Sequence, residues 1–337
     1  MSGWWGDVNA RARGLGAGLP SAVDLAALAR ERSVPGLARN LAAHGVGAGA
    51  RPAATAAELD TEVRRWAAGH LALLRRRMGH RRSLAARVVL DDTDRRAVRA
   101  LLRGAAEGAP AAVRLAGVIP SVHLPLPRLE ELARCDSIEQ LGDRLERLGH
   151  PAAAPLRAAP GGTVPDLFRL EAALDRAYAR RALAGSRRGG DLLAFVREEI
   201  DLRNAWSILA LSGAPGARDT DGLHLEGGER ISPARFLDLC GTDPERVRSA
   251  LSGTFGGGPL SDLFRETVST AALERRSLEL RAVAWTRRGR ARPLGPAPFL
   301  AFALRLAASI HDLGLLVWGC ALDAPPDRRL PTLHEVA

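Results

Sequence analysis

Along most of this chain, apolar residues return at three- and four-residue spacings, the period of a helix with one buried face. The pattern is clearest after three aspartates. Asp94 is followed by Ala97, Val98, Leu101 and Leu102, Asp201 by Asn204, Ala205, Ile208 and Leu209, and Asp312 by Leu315, Leu316, Gly319 and Cys320. The segments around Asp201 and Asp312 are apolar almost all round, which predicts central, buried helices. A long Ala- and Arg-rich helix is predicted from about residue 58 to residue 77. Two more are predicted where Asp166-Leu167-Phe168-Arg169 and Asp262-Leu263-Phe264-Arg265 open similar stretches.

A second pattern recurs. Leu28, Ala29, Arg30, Ser33, Leu37 and Leu41 return at the same spacing as Leu132, Ala133, Arg134, Ser137, Leu141 and Leu145, and Gly45 returns as Gly149. A looser copy runs Leu239-Cys240-Gly241-Thr242-Asp243-Pro244-Glu245, with Cys240 in the place of Cys135 and Thr242 in that of Ser137. Ser33, Ser137 and Thr242 are read as helix N-caps, each accepting a bond from an orphan N–H of the first turn. Ser137 with Gln140 and Thr242 with Glu245 have capping-box spacing. Pro35 and Pro244 sit just inside the helices they start. Each copy is therefore a short helix, a capped break and a second short helix ending near Gly45, Gly149 or Gly253.

The repeated unit is a long helix, a second long helix carrying Asp, a loop and a capped pair of short helices. The expected fold is all-α, with three pseudo-threefold-related helical lobes. Residues 55–155 form the first lobe and 156–258 the second. The third is divided, with its capped pair in residues 1–54 and its long helices in 259–337, so the two ends of the chain are expected to meet. Stretches 151–165 and 253–259 are read as loops, and the Gly-rich stretch 218–230 as a mobile one.

Composition supports this picture. Of 337 residues, 46% are hydrophobic but only 4% aromatic, with Ala and Leu dominant, which favours helix over strand. The net charge is +10 and every basic residue apart from histidine is Arg, because the chain has no Lys. That absence removes phosphate loops of the Walker type and Schiff-base chemistry. Cys135, Cys240 and Cys320 are scattered without CxxC spacing, as expected of free thiols in a cytosolic protein. No signal-peptide pattern opens the chain, and the longest uninterrupted apolar run, Leu313–Leu322, is about half of a membrane span.

Little chemistry is legible. Asp91, Asp92 and Asp94 form an acidic cluster that could be weighed as a metal site, but one turn offers too few ligands, and the cluster reads better as a solvated or N-terminal helical turn, where acids suit the helix dipole. Asp201 and Asp312 lie in apolar surroundings and need partners. Arg197 and Arg305 stand one and two turns before them on the same helices. Acid–base residues and buried ion pairs are both open readings; recurrence favours the ion pair. No HExxH, GxSxG or zinc spacing occurs, and Gly14-Leu15-Gly16-Ala17-Gly18 follows a helical stretch where a dinucleotide loop would follow a strand. No catalytic residue, metal or cofactor is expected. Gly314, two residues after Asp312 where Arg96 and Arg203 follow the other aspartates, is expected to serve close packing. Arg287, Arg288, Arg290 and Arg292 form a basic segment, read as a loop, that suits an anionic interface or simple solubility.

Glu199-Ile200-Asp201-Leu202-Arg203-Asn204 before an apolar helix, residues 7–15 (DVNARARGL) as an opening helix and Pro293-Leu294-Gly295-Pro296 before the last helix resemble the hallmarks of the C-type subunit of V/A-type rotary ATPases (the d-type subunit in eukaryotes). The resemblance covers nearly the whole chain. It implies a non-catalytic funnel or socket, one copy per complex, between central-shaft subunits and the membrane rotor ring. It also implies a peripheral position on the cytoplasmic face of the membrane and no bound nucleotide or nucleic acid. The alternative is a basic helical-repeat protein that binds nucleic acid or an acidic partner, which predicts strongly salt-dependent binding.

Overall fold

The computed structural model describes residues 5–47, 53–116, 118–121, 123–157, 166–187, 190–213, 220, 222–256, 259–265 and 270–329. The fold is all-α, with no strand among the described residues. The chain divides into two compact units, residues 1–77 with 274–337, and residues 78–273. The first unit begins with α1 (Gly6–Ala17), α2 (Ala22–Leu28), α3 (Val34–Ala42) and α4 (Ala56–Arg77). The second contains α5 (His80–Ala85), α6 (Arg87–Leu90), α7 (Asp92–Ala106), α8 (Ala111–Leu115), α9 (Leu126–Ala133) and α10 (Ile138–Arg147). It continues with α11 (Ala153–Arg157), α12 (Leu167–Ser186), α13 (Gly190–Leu211), α14 (Pro233–Leu239), α15 (Pro244–Phe255) and α16 (Pro259–Leu263). The chain then returns to the first unit through α17 (Thr270–Ala291), α18 (Ala297–Ala321) and α19 (Pro326–Arg329).

In the first unit the two ends of the chain share a core. Leu313, Leu316, Val317 and Cys320 of α18 pack with Leu25 and Leu28 of α2, Leu37 and Leu41 of α3, and Leu59 and Val63 of α4. Each such leucine, buried fully, contributes roughly 2 kcal/mol. Helix α18 is long and apolar enough to cross a membrane, a longer stretch than the run from Leu313 suggests, because isolated polar residues hardly lower its average. More than half of that stretch is buried within the protein, as in the core helix of a soluble domain. Gly314 is not there for tight packing: a Cβ at this position would meet only the Asp60 carboxylate, at an ordinary 3.8 Å.

In the second unit, Val98, Leu101 and Leu102 of α7 pack with Leu129 and Leu132 of α9 and Leu141 and Leu145 of α10. Leu170 and Leu174 of α12 join the same core. A further core gathers Ala205 and Ile208 of α13, Phe236 and Leu239 of α14, Val247 and Leu251 of α15, and Phe264. Phe264 therefore does not open a long helix, as its Asp-Leu-Phe-Arg setting suggested. Helix α16 stops at Leu263, Phe264 is fully buried beside Phe255, and the described part of α17 begins at Thr270. Apolar demand in the core outweighs the local likeness to residues 166–169.

The capped pairs form on local chemistry. Ser33 accepts the Gly36 N–H and Ser137 the Gln140 N–H, each at 3.2 Å. Thr242 does not cap. Its hydroxyl donates back to the Leu239 carbonyl, and Asp243 accepts the N–H groups of Glu245 and Arg246. Four residues separate the two helices of this pair, as between α9 and α10, so the cap falls at Asp243, one residue after the Thr242 matched to Ser137. Gly45 and Gly149 take positive φ (82° and 63°) after their helices. In the second unit's later pair, α15 runs through Gly253 to Phe255, and Gly256 makes the turn. Residues 153–157, expected to be loop, are helical as α11.

Candidate functional site

The three aspartates of the repeat are held in three different ways. Asp201, 1% exposed, has no cation on it among the described residues. Its carboxylate accepts the backbone N–H groups of Glu229, Arg230 and Ile231 at 2.9–3.2 Å, fixing the run that enters α14. One turn on, Asn204 donates to the Leu225 carbonyl and accepts its N–H. The Gly-rich stretch is thus held at Leu225 and at Glu229–Ile231, while its residues 218, 219 and 221 lie outside the described residues. Arg197, expected to pair with Asp201, pairs with Glu229.

Asp312 receives a two-pronged Arg275 guanidinium from α17, at 2.5 and 3.2 Å, with both side chains nearly inaccessible. Burial pushes the Asp312 carboxyl above its ordinary range, and the Arg275 fork opposes that push. Arg305, its expected partner, donates to the Gly16 carbonyl at 3.0 Å. The expected ion pair exists, with a different arginine. Asp94, expected in a solvated turn, is 1% exposed, and its carboxylate lies 2.8 Å from His123 Nδ1. Asp91, 3% exposed, is bonded by Arg181 at 3.2 Å.

Around Asp92 a network of charge joins α7, α12 and α13. Asp92 meets Arg95 and Arg96 at 2.7 Å and Arg203 at 3.8 Å. Arg95 continues to Asp175 at 2.9 Å, and Arg99 and Arg103 hold Glu171 at 2.6 and 2.5 Å. Burial alone would raise Asp92, but the three guanidiniums hold its carboxyl far below the usual carboxylate range. Arg203, singled out in the sequence, thus serves as a strut that also bonds Glu199 at 3.1 Å.

Sequence reasoning missed a pair of matching arginine clamps. Arg114 of α8, 8% exposed, donates through Nε to the Ala109 carbonyl at 2.5 Å and through Nη1 to the carbonyls of Ala133 and Cys135. Arg329 of α19, 7% exposed, donates through Nε to the Ala324 carbonyl at 2.6 Å and through Nη1 to those of Ala29 and Glu31. Both cap the C-terminal end of a first short helix, where carbonyls lack partners. The signal was present: Gly104 and Gly319 each stand five residues before an Ala-Pro and ten before the Arg. A Cβ at Gly104 or Gly319 would meet the clamp's own Cγ at 2.5 or 2.9 Å, so both positions are kept free of side chain.

These clamps give the repeat a register. Gly319 corresponds to Gly104, so Asp312 stands in the place of Ala97, and the place of Asp94 is taken by Ser309. The recurring aspartates are equivalent in Asp94 and Asp201, which both reach the run before a first short helix, but not in Asp312.

The basic segment is helical where a loop was expected: Arg287, Arg288 and Arg290 lie in the last turns of α17, and only Arg292 lies beyond its end. Arg287, Arg288, Arg290 and Arg292 are all exposed, and the Arg288 guanidinium lies 5.0 Å from the centre of the Trp285 ring. The Pro293–Pro296 turn that follows is fastened from the other end of the chain. Asn9, 1% exposed, donates to the carbonyls of Pro293 and Gly295 at 2.9 and 2.8 Å. Two of the family-like segments, far apart in sequence, are thus one structural feature.

Residues 8–329 match the ATP synthase (C/AC39) subunit family. The chain is also similar to a protein of Halorubrum lacusprofundi, named as the C-type subunit of an A-type ATP synthase, with 26% identity over 205 residues. That match spans 57% of this chain and 57% of the relative.

Proposed function

The chain belongs to the ATP synthase (C/AC39) subunit family, and on that premise we propose that it is a non-catalytic coupling subunit of a V/A-type rotary ATPase. It sits between central-shaft subunits and the membrane rotor ring, one copy per complex, peripheral on the cytoplasmic face. The observation that carries this reading is the extent of the family match, which takes in both units and both ends of the chain. The chain's conspicuous polar side chains act as caps, struts and clamps, which suits a part that bears load and performs no chemistry.

Arg287, Arg288, Arg290 and Arg292, set on a helix end fastened by Asn9, form the surface we assign to an acidic partner within that complex. Guanidiniums suit such a contact because each presents a planar fork to a carboxylate. A tagged chain purified from its native membranes with mild detergent is expected to carry shaft and ring subunits with it. Replacing the four arginines with Ser is expected to weaken that recovery as salt rises. Recovery of none of these subunits, or salt-dependent retention on DNA alone, would overturn the reading in favour of a basic nucleic-acid-binding protein.

A further inference from the structure

The register set by the clamps pairs one corner of the second unit with a corner of the first. Asp91, Asp94, His123 and His150 correspond to Leu306, Ser309, Leu19 and Val46. His150 and Val46 each follow the positive-φ glycine and donate their N–H to Leu145 and Leu41. His123 and Leu19 each stand two residues before the N-cap of a first short helix. In the first unit the corresponding residues, Leu19, Val46, Leu306 and Ser309, are all buried and none is charged. Folding of the repeat does not, therefore, require charge at this place.

The second unit nonetheless buries two carboxylates here, and leaves them incompletely satisfied. Asp91 Oδ2 meets Arg181 and Asp94 Oδ2 meets His123, but Oδ1 of each is buried without a hydrogen-bond partner. The Tyr178 hydroxyl and His150 Nε2 are also buried without partners, and both residues feel the charge of Asp94. The Ala152 N–H donates to His150 Nδ1, so the neutral ring carries its proton on the unpartnered Nε2. Four orphaned polar atoms around one acidic pair are costly unless something fills the space.

We propose that Asp91, Asp94 and His123 hold a divalent metal ion of the zinc or manganese kind. One ligand atom from each of the three lies within 4.8 Å of the others. Two carboxylate oxygens and an imidazole nitrogen suit those ions better than calcium or magnesium, which favour all-oxygen sets. The His150 Nε2–H and the Tyr178 hydroxyl, both buried without partners, are the donors available to support the liganding carboxylates once an ion draws the cluster together. A metal on His123 Nδ1 takes the place of the contact this nitrogen makes with Asp94. The site belongs to this copy of the repeat: at Asp201 backbone N–H groups occupy both oxygens, and at Ser309 there is no carboxylate.

The test is equilibrium dialysis of the purified full-length chain against zinc or manganese chloride, followed by elemental analysis. The wild type is expected to retain one ion per chain. His123→Ala, at a half-exposed ring, and Asp94→Ser with His123→Leu, which copies the first unit, are expected to lose it while keeping wild-type helicity. His80→Ala, at a histidine outside the cluster, should retain it. No ion on the wild type, leaving a corner filled by water only, or an ion kept by both site variants, overturns the proposal.

Discussion

The two clamps and the helices they serve invite comparison, because the same local architecture is built twice from differently connected chain. In the second unit, Arg114 reaches carbonyls about twenty positions away, within one continuous stretch. In the first, Arg329 reaches carbonyls 300 and 298 residues distant. Donor atoms, acceptors and neighbouring glycine are alike. What differs is the connection. The continuous copy has its partners delivered by short loops, at low entropic cost. The divided copy holds a non-local contact that depends on the whole chain folding between its ends. The packed repeat, not the order of its pieces, is what the molecule preserves.

The comparison can be broken most directly by removing residues 1–45. Leu25, Leu28, Leu37 and Leu41 would leave the first unit's core, exposing the apolar face of α18. Differential scanning calorimetry is expected to show loss of the first unit's transition with the second unit's retained. An unchanged melting profile would mean the ends do not depend on one another.

Next come the clamps. Arg329→Ala and Arg114→Ala each leave carbonyls without donors, and each is expected to cost about 3 kcal/mol in denaturant unfolding. Exchange protection measured by hydrogen–deuterium exchange should fall around residues 29–31 in the first variant and around 133–135 in the second. A silent Arg114→Ala would show that only the divided copy needs its clamp.

Caps give a smaller effect. Ser33→Ala and Ser137→Ala should each cost about 1 kcal/mol, and so should Asp243→Ala, whereas Thr242→Ala should cost less. Equal losses at Thr242 and Asp243 would contradict the shifted cap. The subtlest contrast is in pH. Burial opposes ionisation of Glu171, but the bonds from Arg103 and Arg99 prevail and hold its pKa below the ordinary 4.5. The stability it contributes is complete above that ordinary value and is lost as acidification passes its lower folded pKa. Glu171→Gln should flatten this acid limb in the second unit's transition and leave the first unit's alone.

Local chemistry made a good part of this protein legible in advance. The helices at Asp94, Asp201 and Asp312 follow from spacing, and the caps at Ser33 and Ser137 from hydroxyls placed three residues before the N–H groups they accept. The three family-like segments pointed to the family that residues 8–329 match. The signal for the clamps lay in Gly104 and Gly319 before Ala-Pro and Arg, and passed unnoticed because it straddles a helix end and a turn, where periodicity is silent.

What the sequence by itself determined is what acts over one or two helical turns: where helices form, where they are capped, and that their faces must be buried. Only the tertiary structure decided which charge meets which. Arg275 took Asp312 from another helix, three backbone N–H groups took Asp201, and Asp94, which looked solvated, was covered by the segment around His123. A carboxylate's partner and its hydration depend on surfaces brought together from distant parts of the chain, and spacing along one helix carries no record of them.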